Sequence, residues 1–574
     1  MKRWVYRSYD SGQAERLQTE AGVSSLVSVL LAQRGITDPA EAQRFLQPEL
    51  SQLHDPFRMT GMRKAVDRIR QAISQQEKML VYGDYDVDGT TSVVVLRSVI
   101  RLAGGAADFH VPHRIREGYG MRTEVVERAA GNGVRLLITT DNGIRETEVV
   151  QRANELGVDV IITDHHLLKE TLPSALVILN PNQPGCDYPD KNLCGAGVVF
   201  KLAQALLGEL GWPATKLDRV LESLLKMVAI ATVADMVPLV GENRVFTKLG
   251  LEGLRDPKNL GLRGLIEVSG LSTKKKLSAG DVGFRIGPRL NAAGRLDDAR
   301  AVIELFEAST EAEVTRIAGH LDQLNSHRQN TEESIVKQIL EKLGDLPGPE
   351  ETPFIVADGN GWHAGVIGIV ASRVIERFHR PTLVLSCDPA TGLATGSGRS
   401  IRGYHLLEAL ESTADLFTRF GGHKQAAGCT LPIDRIPELR RRLNEQARGV
   451  LKPEDFVPVL SLDKDISLGD VTEQTLAELT RLAPYGLGNP TPKFSAGRVT
   501  LLGPPEILKV KHVKMRLGAQ DVALSAVGWR MAEQVNGLRA GSLVDVAFWI
   551  ERDDYRGGLR LKLEDFRTAE AAAA

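Results

Sequence analysis

The chain has 574 residues, of which 43% are hydrophobic and 25% charged; at ~150 residues per domain this supplies cores for three or four domains. Lys and Arg number 71 against 73 Asp and Glu, a formal charge of −2, which excludes a uniformly basic nucleic-acid coat but leaves room for basic patches balanced by acidic ones. The four cysteines (Cys186, Cys194, Cys387, Cys429) show no C-x-x-C spacing, so a zinc ribbon or disulfide scaffold is not expected and a reducing compartment fits.

Behind the charged start there is no apolar h-region, and no run of ~18 uncharged apolar residues follows. The expectation is a cytoplasmic protein without signal peptide or membrane span. Residues 1–78 read as an N-terminal helical segment packing on the core, with apolar residues at three- and four-residue spacing in 24–34 and 62–73. Residues 79–306 change texture. Short β-branched runs at 79–83, 134–140 and 158–163 alternate with helical stretches, the pattern of a mostly parallel sheet covered on both faces. Each run leads into an Asp, and ligands of such sheets gather at the carboxyl ends of the strands.

Residues 307–346 are polar and poor in Gly and Pro, which predicts a connecting helix on the order of 50 Å long. A second α/β unit is expected over 347–452. Over 453–568, strands such as 493–502, 512–517 and 543–550 alternate with Gly and Pro turns, which suits a small barrel. The Ala-rich end, 569–574, reads as a disordered tail. The fold class is therefore α/β: two α/β domains joined by a long helix with a cleft between them, plus a C-terminal β-barrel.

The chemistry concentrates behind the first three runs. Asp84, Asp86 and Asp88 fall within five residues of Val81-Tyr82-Gly83-Asp84-Tyr85-Asp86-Val87-Asp88-Gly89, where mutual repulsion is costly unless cations neutralise it. An EF-hand loop opens the same way but needs Glu at its twelfth position, which is Val95 here. Helix capping by Asp88 and Thr90 is the plainer alternative. Asp141, before Asn142-Gly143, reads by itself as a turn former, and Asp235 as a helix end. Asp164-His165-His166 is harder to dismiss, because imidazole is the commonest metal ligand. Taken together, the oxygen-rich set with one or two imidazoles suits Mn²⁺ or Mg²⁺ better than zinc thiolate chemistry.

The first acidic motif and Asp164-His165-His166 resemble the DHH phosphoesterase superfamily. Residues 53–59, Gly294-Arg295-Leu296 and the loop 421–428 narrow the likeness, and nearly the whole chain resembles the RecJ-type single-strand-specific exonucleases of bacteria. The resemblance implies a DHH domain, a DHHA1 substrate-binding domain and an OB-like barrel. It also implies two ions, Mn²⁺ or Mg²⁺, held by Asp84, Asp86, Asp88, Asp141, His165 and Asp235. Asp141 would bridge the ions and His166 would contact the phosphate. Tyr82 stands where the superfamily has a leading histidine, a gap that Asp84 would fill.

Ser397, Arg399 and Ser400 would then meet the terminal 5′ phosphate or nearby backbone, with His423 facing the cleft. Gly-rich turns at helix starts suit such contacts. Arg285, Arg289, Asn291 and Arg295 read as phosphate contacts along a channel, with a plain surface loop as the alternative; Arg373 is a further candidate, though a surface helix arginine is the commoner case. His512, Lys514 and Arg516 alternate with apolar residues, giving a basic strand face, and Trp529, Trp549 and Tyr555 are candidate stackers. No Gly-Lys dipeptide occurs, so there is no P-loop.

The resemblance implies a Mn²⁺- or Mg²⁺-dependent exonuclease that digests single-stranded DNA from its 5′ end in DNA repair and recombination. A monomer is expected, and the resemblance implies a single-stranded-DNA-binding protein and a RecQ-type helicase as partners. Two alternatives remain: a DHH phosphodiesterase acting on short oligoribonucleotides or cyclic dinucleotides, and a catalytically inactive DNA-binding scaffold.

Overall fold

The computed structural model describes residues 2–114, 116–344, 346–553 and 557–569. Strand β1 (Arg3–Tyr6) is followed by helices α1 (Ser11–Glu20), α2 (Ser25–Ala32), α3 (Pro39–Leu46) and α4 (Met62–Ser74). The first α/β unit then runs β2 (Lys78–Tyr82), α5 (Val87–Leu102), β3 (Ala107–His110), α6 (Thr123–Gly131), β4 (Val134–Thr140), α7 (Thr147–Glu155), β5 (Asp159–Thr163) and β6 (Val177–Leu179). Its sheet is parallel throughout, in the order β3-β2-β4-β5-β6. Alternate residues of the runs face two separate apolar clusters: Val81, Leu136 and Ile138 one, Leu80, Leu137 and Ile162 the other. Burial on both faces explains the near-continuous apolar runs.

Helices α8 (Gly195–Gly208), α9 (Ala214–Ala234), α10 (Gly241–Gly253) and α11 (Leu260–Val268) complete this unit. A single turn, α12 (Ala279–Asp281), passes through a π-helical turn (Val282–Ile286) into α13 (Gly287–Leu296) and α14 (Arg300–Glu307). Residues 285–295 are thus helical, so the surface-loop alternative is corrected: Pro288 falls in the first turn of α13, where a missing N–H costs nothing. Next, α15 (Glu311–Leu343) extends for 33 residues from a Thr310–Glu313 capping box, about 50 Å at 1.5 Å per residue.

The second unit comprises β7 (Ile355–Asn360), α16 (Ile367–Phe378), β8 (Thr382–Asp388), β9 (Leu393–Arg399), α17 (Leu406–Glu411), β10 (Arg419–His423), β11 (Ala426–Pro432) and α18 (Ile436–Val450). Its sheet has the order β10-β11-β9-β8-β7, with only β7–β8 parallel. The glycines at 396–398 and 421–428 lie in strands β9, β10 and β11, not in turns at helix starts as expected. Close packing is the reason in β9: a Cβ at Gly396 would stand 2.6 Å from both Cys429 Sγ and Leu385 Cδ2, and one at Gly398 2.9 Å from Leu406 Cδ2.

The C-terminal part holds β12 (Val459–Leu462), β13 (Lys464–Asp465), α19 (Glu473–Leu482), β14 (Phe494–Leu501), β15 (Glu506–Leu508), β16 (His512–Ala519), β17 (Val522–Gly528), β18 (Leu543–Arg552) and β19 (Leu559–Thr568). Pairing of β14 with β16, Thr500 opposite Gly518, curls the seven strands β13–β19 into an OB-like barrel. The first 78 residues divide their allegiance. Only α4 joins the first unit's core; α1, α2 and α3 share the barrel's core, and β1 pairs in parallel with β12. Arg34 reaches Asn489 Oδ1 and the Pro490 carbonyl at 2.7 Å, and Arg244 of α10 reaches the Phe45 carbonyl at 2.7 Å and that of Ala483 at 3.0 Å. Two guanidinium groups thus tie the N-terminal helices, the first unit and the barrel together. Residues 570–574 of the expected tail lie outside the described residues.

Candidate active site

Behind β2 the chain folds back so tightly that a Cβ at Gly89 would stand 2.6 Å from the Asp84 backbone. Asp86 caps α5 by accepting from the Gly89 N–H at 3.0 Å, and Asp88 sits in that helix's first turn. Behind β4, Asp141 adopts a left-handed φ of 62°, an uncommon backbone state for a residue with a side chain. Asp164, His165 and His166 follow β5, and Asp235 closes α9 ahead of Met236, whose φ is 59°.

These strand and helix ends converge. His165 Nε2 lies 3.1 Å from Asp141 Oδ1, 3.7 Å from Asp235 Oδ2 and 3.8 Å from Asp88 Oδ2. His166 Nδ1 lies 2.7 Å from Asp164 Oδ1 and 3.9 Å from Asp141 Oδ1. Among the described residues, three groups have ligand atoms within 4.8 Å of one another: Asp141 with His165 and His166, Asp88 with His165 and Asp235, and Asp84 with Asp86 and Asp141. Asp141 and His165 each belong to two of them.

The electrostatics are those of like charges crowded together out of water. Burial, then repulsion from Asp86, holds Asp84 well above the carboxylate range and lifts Asp88 to about 7. Burial and the neighbouring Asp88 and Asp86 raise Asp141 and carry Asp235 to about 9. His165 is pushed down to about 4 by burial and by His166. Burial also opposes the charge on His166, yet its hydrogen bond to Asp164 raises it, and the same bond, against burial, lowers Asp164. Asp84 Oδ1, Asp141 Oδ1 and His165 Nε2 are buried without hydrogen-bond partners. A divalent cation fits this donor set: hard oxygens, a neutral imidazole and unspent lone pairs.

Tyr82 takes no part. Its side chain lies in an apolar cluster, and its hydroxyl donates to the Gly120 carbonyl at 3.4 Å and accepts from the Arg122 N–H at 3.2 Å. Asp84, by contrast, joins Asp86 and Asp141. The sequence reading passed over Asp164 as a functional residue, although it orients His166 and accepts backbone N–H bonds from Ile144, His165 and His166. It also missed Tyr119, whose hydroxyl lies 3.5 Å from both ring nitrogens of His166.

Arg295 of α13 bonds the Gly365 carbonyl of the second unit at 3.0 Å. Burial, then repulsion from Arg114, Arg328 and Arg399, lowers it to about 10. Arg399 of β9 bonds Ser397 Oγ at 3.3 Å and the Gly398 carbonyl at 2.8 Å, and burial and Arg114 lower it too. Arg114 and Arg328 were not singled out from sequence, because no motif marks them. Of the other arginines, Arg373 is linked to this group through Glu332, which it shares with Arg328, and also pairs with Glu376, while Arg285 bonds the Gly270 carbonyl and Arg289 pairs with Asp322 at 2.8 Å. Asn291 is half-buried on α13, Ser400 Oγ bonds the Tyr404 carbonyl at 2.9 Å, and His423 is exposed on the edge strand β10.

On β16, Val513, Met515 and Leu517 are buried while Lys514 is half-buried and Arg516 exposed. Trp529 stacks edge-on against His512, with ring centroids 4.6 Å apart. Trp549 has the Lys562 ammonium 4.5 Å from its ring centroid. Tyr555 lies outside the described residues. No helix among the described residues is long and apolar enough to cross a membrane.

Three family models match the chain: the DHH family N-terminal domain over residues 78–232, the DHHA1 domain over 351–449 and the RecJ OB domain over 462–565. The single-stranded-DNA-specific exonuclease RecJ of Bacillus subtilis is 41% identical over 545 residues, covering 95% of this chain and 68% of that protein. Its namesake in Escherichia coli is 35% identical over 569 residues, covering 96% of each. Among solved structures, RecJ from Thermus thermophilus in complex with Mn²⁺ superposes with a TM-score of 0.83 at 30% identity, covering 99% of this chain and 79% of that one. The Mg²⁺ complex of RecJ from the same organism gives 0.77 at 29% identity, covering 99% of this chain and 78% of that one.

Proposed function

The chain belongs to the RecJ family of single-stranded-DNA-specific exonucleases, and from that premise we propose that it hydrolyses single-stranded DNA 5′→3′ to 5′-mononucleotides with two divalent cations, Mn²⁺ or Mg²⁺, in bacterial DNA repair and recombination. The observation that carries this reading is the trio of buried, unpartnered ligand atoms, Asp84 Oδ1, Asp141 Oδ1 and His165 Nε2, at one rim of the first sheet.

Asp84, Asp86, Asp88, Asp141, His165 and Asp235 would hold the cations, with Asp141 common to both. When bound, the ions supply Lewis-acid activation of water and neutralise the phosphodiester's charge. Asp164 accepts the Nδ1 proton of His166 and keeps that ring charged to higher pH, so its other nitrogen donates to a phosphate oxygen as negative charge develops. Arg295, Arg399 and Ser397 hold the terminal 5′ phosphate or the backbone beside it. Desolvation of the two guanidinium groups strengthens their pull on phosphate.

Arg285, Arg289, Asn291, Arg373, Ser400 and His423 extend the backbone contacts, and Lys514 and Arg516 with Trp529 and Trp549 track the strand over the barrel. The protein works as a monomer in the cytoplasm, with a helicase of the RecQ type supplying single strands and a single-stranded-DNA-binding protein delivering them. The test incubates 5′-labelled long single strands, duplex DNA and dinucleotides with Mn²⁺, with and without chelator. Labelled mononucleotide released first, from long single strands alone and only without chelator, is the expected result. Equal turnover of dinucleotides, or release of label last, would overturn it.

A further inference from the structure

We propose that Gly195 and the first backbone amides of α8 are the positioning element of the cation cage, fixing the carboxylate of Asp88 by two hydrogen bonds and leaving the space that Asp141 occupies. The inference rests on the reading above, that the acidic rim holds divalent cations. It concerns residues that ligate nothing themselves.

Asp88 reaches from the first turn of α5 across to α8, where its Oδ2 accepts from the Gly195 N–H at 2.6 Å and its Oδ1 from the Ala196 N–H at 2.7 Å. A backbone bond on each oxygen stops rotation of the carboxylate, and with the Cys194 thiol as a further donor lone pairs still remain for a ligand. The helix is 14 residues long and its N-cap residue, Cys194, makes no side-chain cap of its own; its sulfur lies 3.5 Å from Thr232 Oγ1 and its thiol also bonds the Asp88 carboxylate. Capping is therefore supplied from another element, and the partial positive charge of the helix start falls on a carboxylate that its acidic neighbours repel.

Asp141 meets the same residue from the other side. A Cβ at Gly195 would stand 2.7 Å from Asp141 Cβ, 2.9 Å from its Oδ1 and 3.0 Å from its Cγ. Gly195 is not among the glycines with positive φ, so the backbone there would accept an L side chain, and glycine is needed only for space. Asp141 Oδ1 has no hydrogen-bond partner, so no bond of its own holds that oxygen against displacement. A methyl at position 195 would part Asp141 from Asp88 and thereby widen the cage. Such supports of metal ligands are typically worth roughly 10- to 100-fold in metal affinity.

The experiment titrates Mn²⁺ calorimetrically into the full chain and into Gly195→Ala, Ala196→Pro, Gly197→Ala and Asp141→Ala. Ala196→Pro deletes one donor in the first helical turn, where proline is tolerated. Gly197→Ala adds a methyl two residues along, facing Leu193 and Phe246 at 3.3 and 3.5 Å. Mn²⁺ affinity is expected to fall roughly 10- to 100-fold in Gly195→Ala and Ala196→Pro, with cleavage restored by excess Mn²⁺, and to stay unchanged in Gly197→Ala. Unaltered affinity in either of the first two variants, beside a loss in Asp141→Ala, would overturn the inference alone. Unaltered affinity in Asp141→Ala would bring down the cage reading beneath it.

Discussion

At the start of α8, Asp88 and Asp141 crowd together with Asp84, Asp235 and His165, and three of their buried ligand atoms have no partner. Two turns along the same helix, Lys201 is equally buried, yet its ammonium bonds Glu242 Oε1 at 3.0 Å and the His54 carbonyl at 2.7 Å. Glu242 accepts in addition from Tyr188 at 2.5 Å and from the His54 N–H at 3.0 Å, and its own N–H goes to Asp190. Both clusters bury charge. The second pairs opposite signs and joins residues near 54, 190, 201 and 242 into one structural unit, whereas the first gathers one sign and leaves lone pairs unspent. Burial and charge therefore do not by themselves mark a functional site; unmatched charge with unmatched donors does.

The sharpest way to break this contrast is to remove one member of each cluster. Asp141→Ala is expected to lower mononucleotide release from 5′-labelled single strands by at least about 10²–10³-fold, the loss that follows removal of a transition-state stabiliser. The metal-free variant should melt no lower than the unaltered chain, because a repelling carboxylate has gone; retained turnover would end the comparison. Glu242→Ala is expected to do the reverse. It strands a buried ammonium at a cost of about 3–5 kcal/mol, read as a lowered urea midpoint of the first unit, with kcat per folded molecule unchanged. Saturating Mn²⁺ separates the clusters more gently. At 100 times Kd it adds about 2.7 kcal/mol to stability, visible as a raised Tm that chelator reverses, in the unaltered chain and Glu242→Ala but not in Asp141→Ala.

The acidic cluster was legible in the sequence because its residues follow strands whose apolar runs are themselves legible. Once Lys78–Tyr82, Val134–Thr140 and Asp159–Thr163 pair in parallel, Asp84, Asp141 and Asp164 must arrive at one rim. The satisfied cluster was not legible, since His54, Tyr188, Lys201 and Glu242 share no motif and meet only after α10 packs on α8. Arg114 and Arg328 escaped for the same reason: one lies in a loop, the other on a 33-residue helix, and only the fold brings both near Arg295. The glycines of β9, Gly396 and Gly398, misled in the opposite direction. Local propensity reads them as turns, while the sheet needs them for contacts with Leu383, Leu385, Leu406 and Cys429. The N-terminal helices show the limit of pattern reading: their spacing gives an apolar face, but the barrel that covers it lies more than 400 residues away in the chain.

A final, smaller effect follows from proton linkage in the metal-free chain. Asp88 and Asp235 titrate near 7 and 9 when folded, against about 3.9 when unfolded. Over this interval the folded state binds more protons, so the stability they contribute is present at low pH and lost as pH rises through the folded values. His166, also raised, acts in the same direction. His165, lowered to about 4 by burial, contributes stability that is lost as pH falls, but only below its unfolded value of about 6.5, and Asp164, also lowered, does so only lower still. Between about 7 and 9 the metal-free chain is therefore expected to melt progressively lower. Asp235→Asn is expected to flatten the slope. Mn²⁺ is expected to remove it, because bound cations replace the protons, while Glu242→Ala keeps it intact. A melting temperature that stays level over that interval without metal, or that falls equally with Mn²⁺ present, would show that the rim's carboxylates do not share the unmatched charge on which the contrast between the two clusters depends.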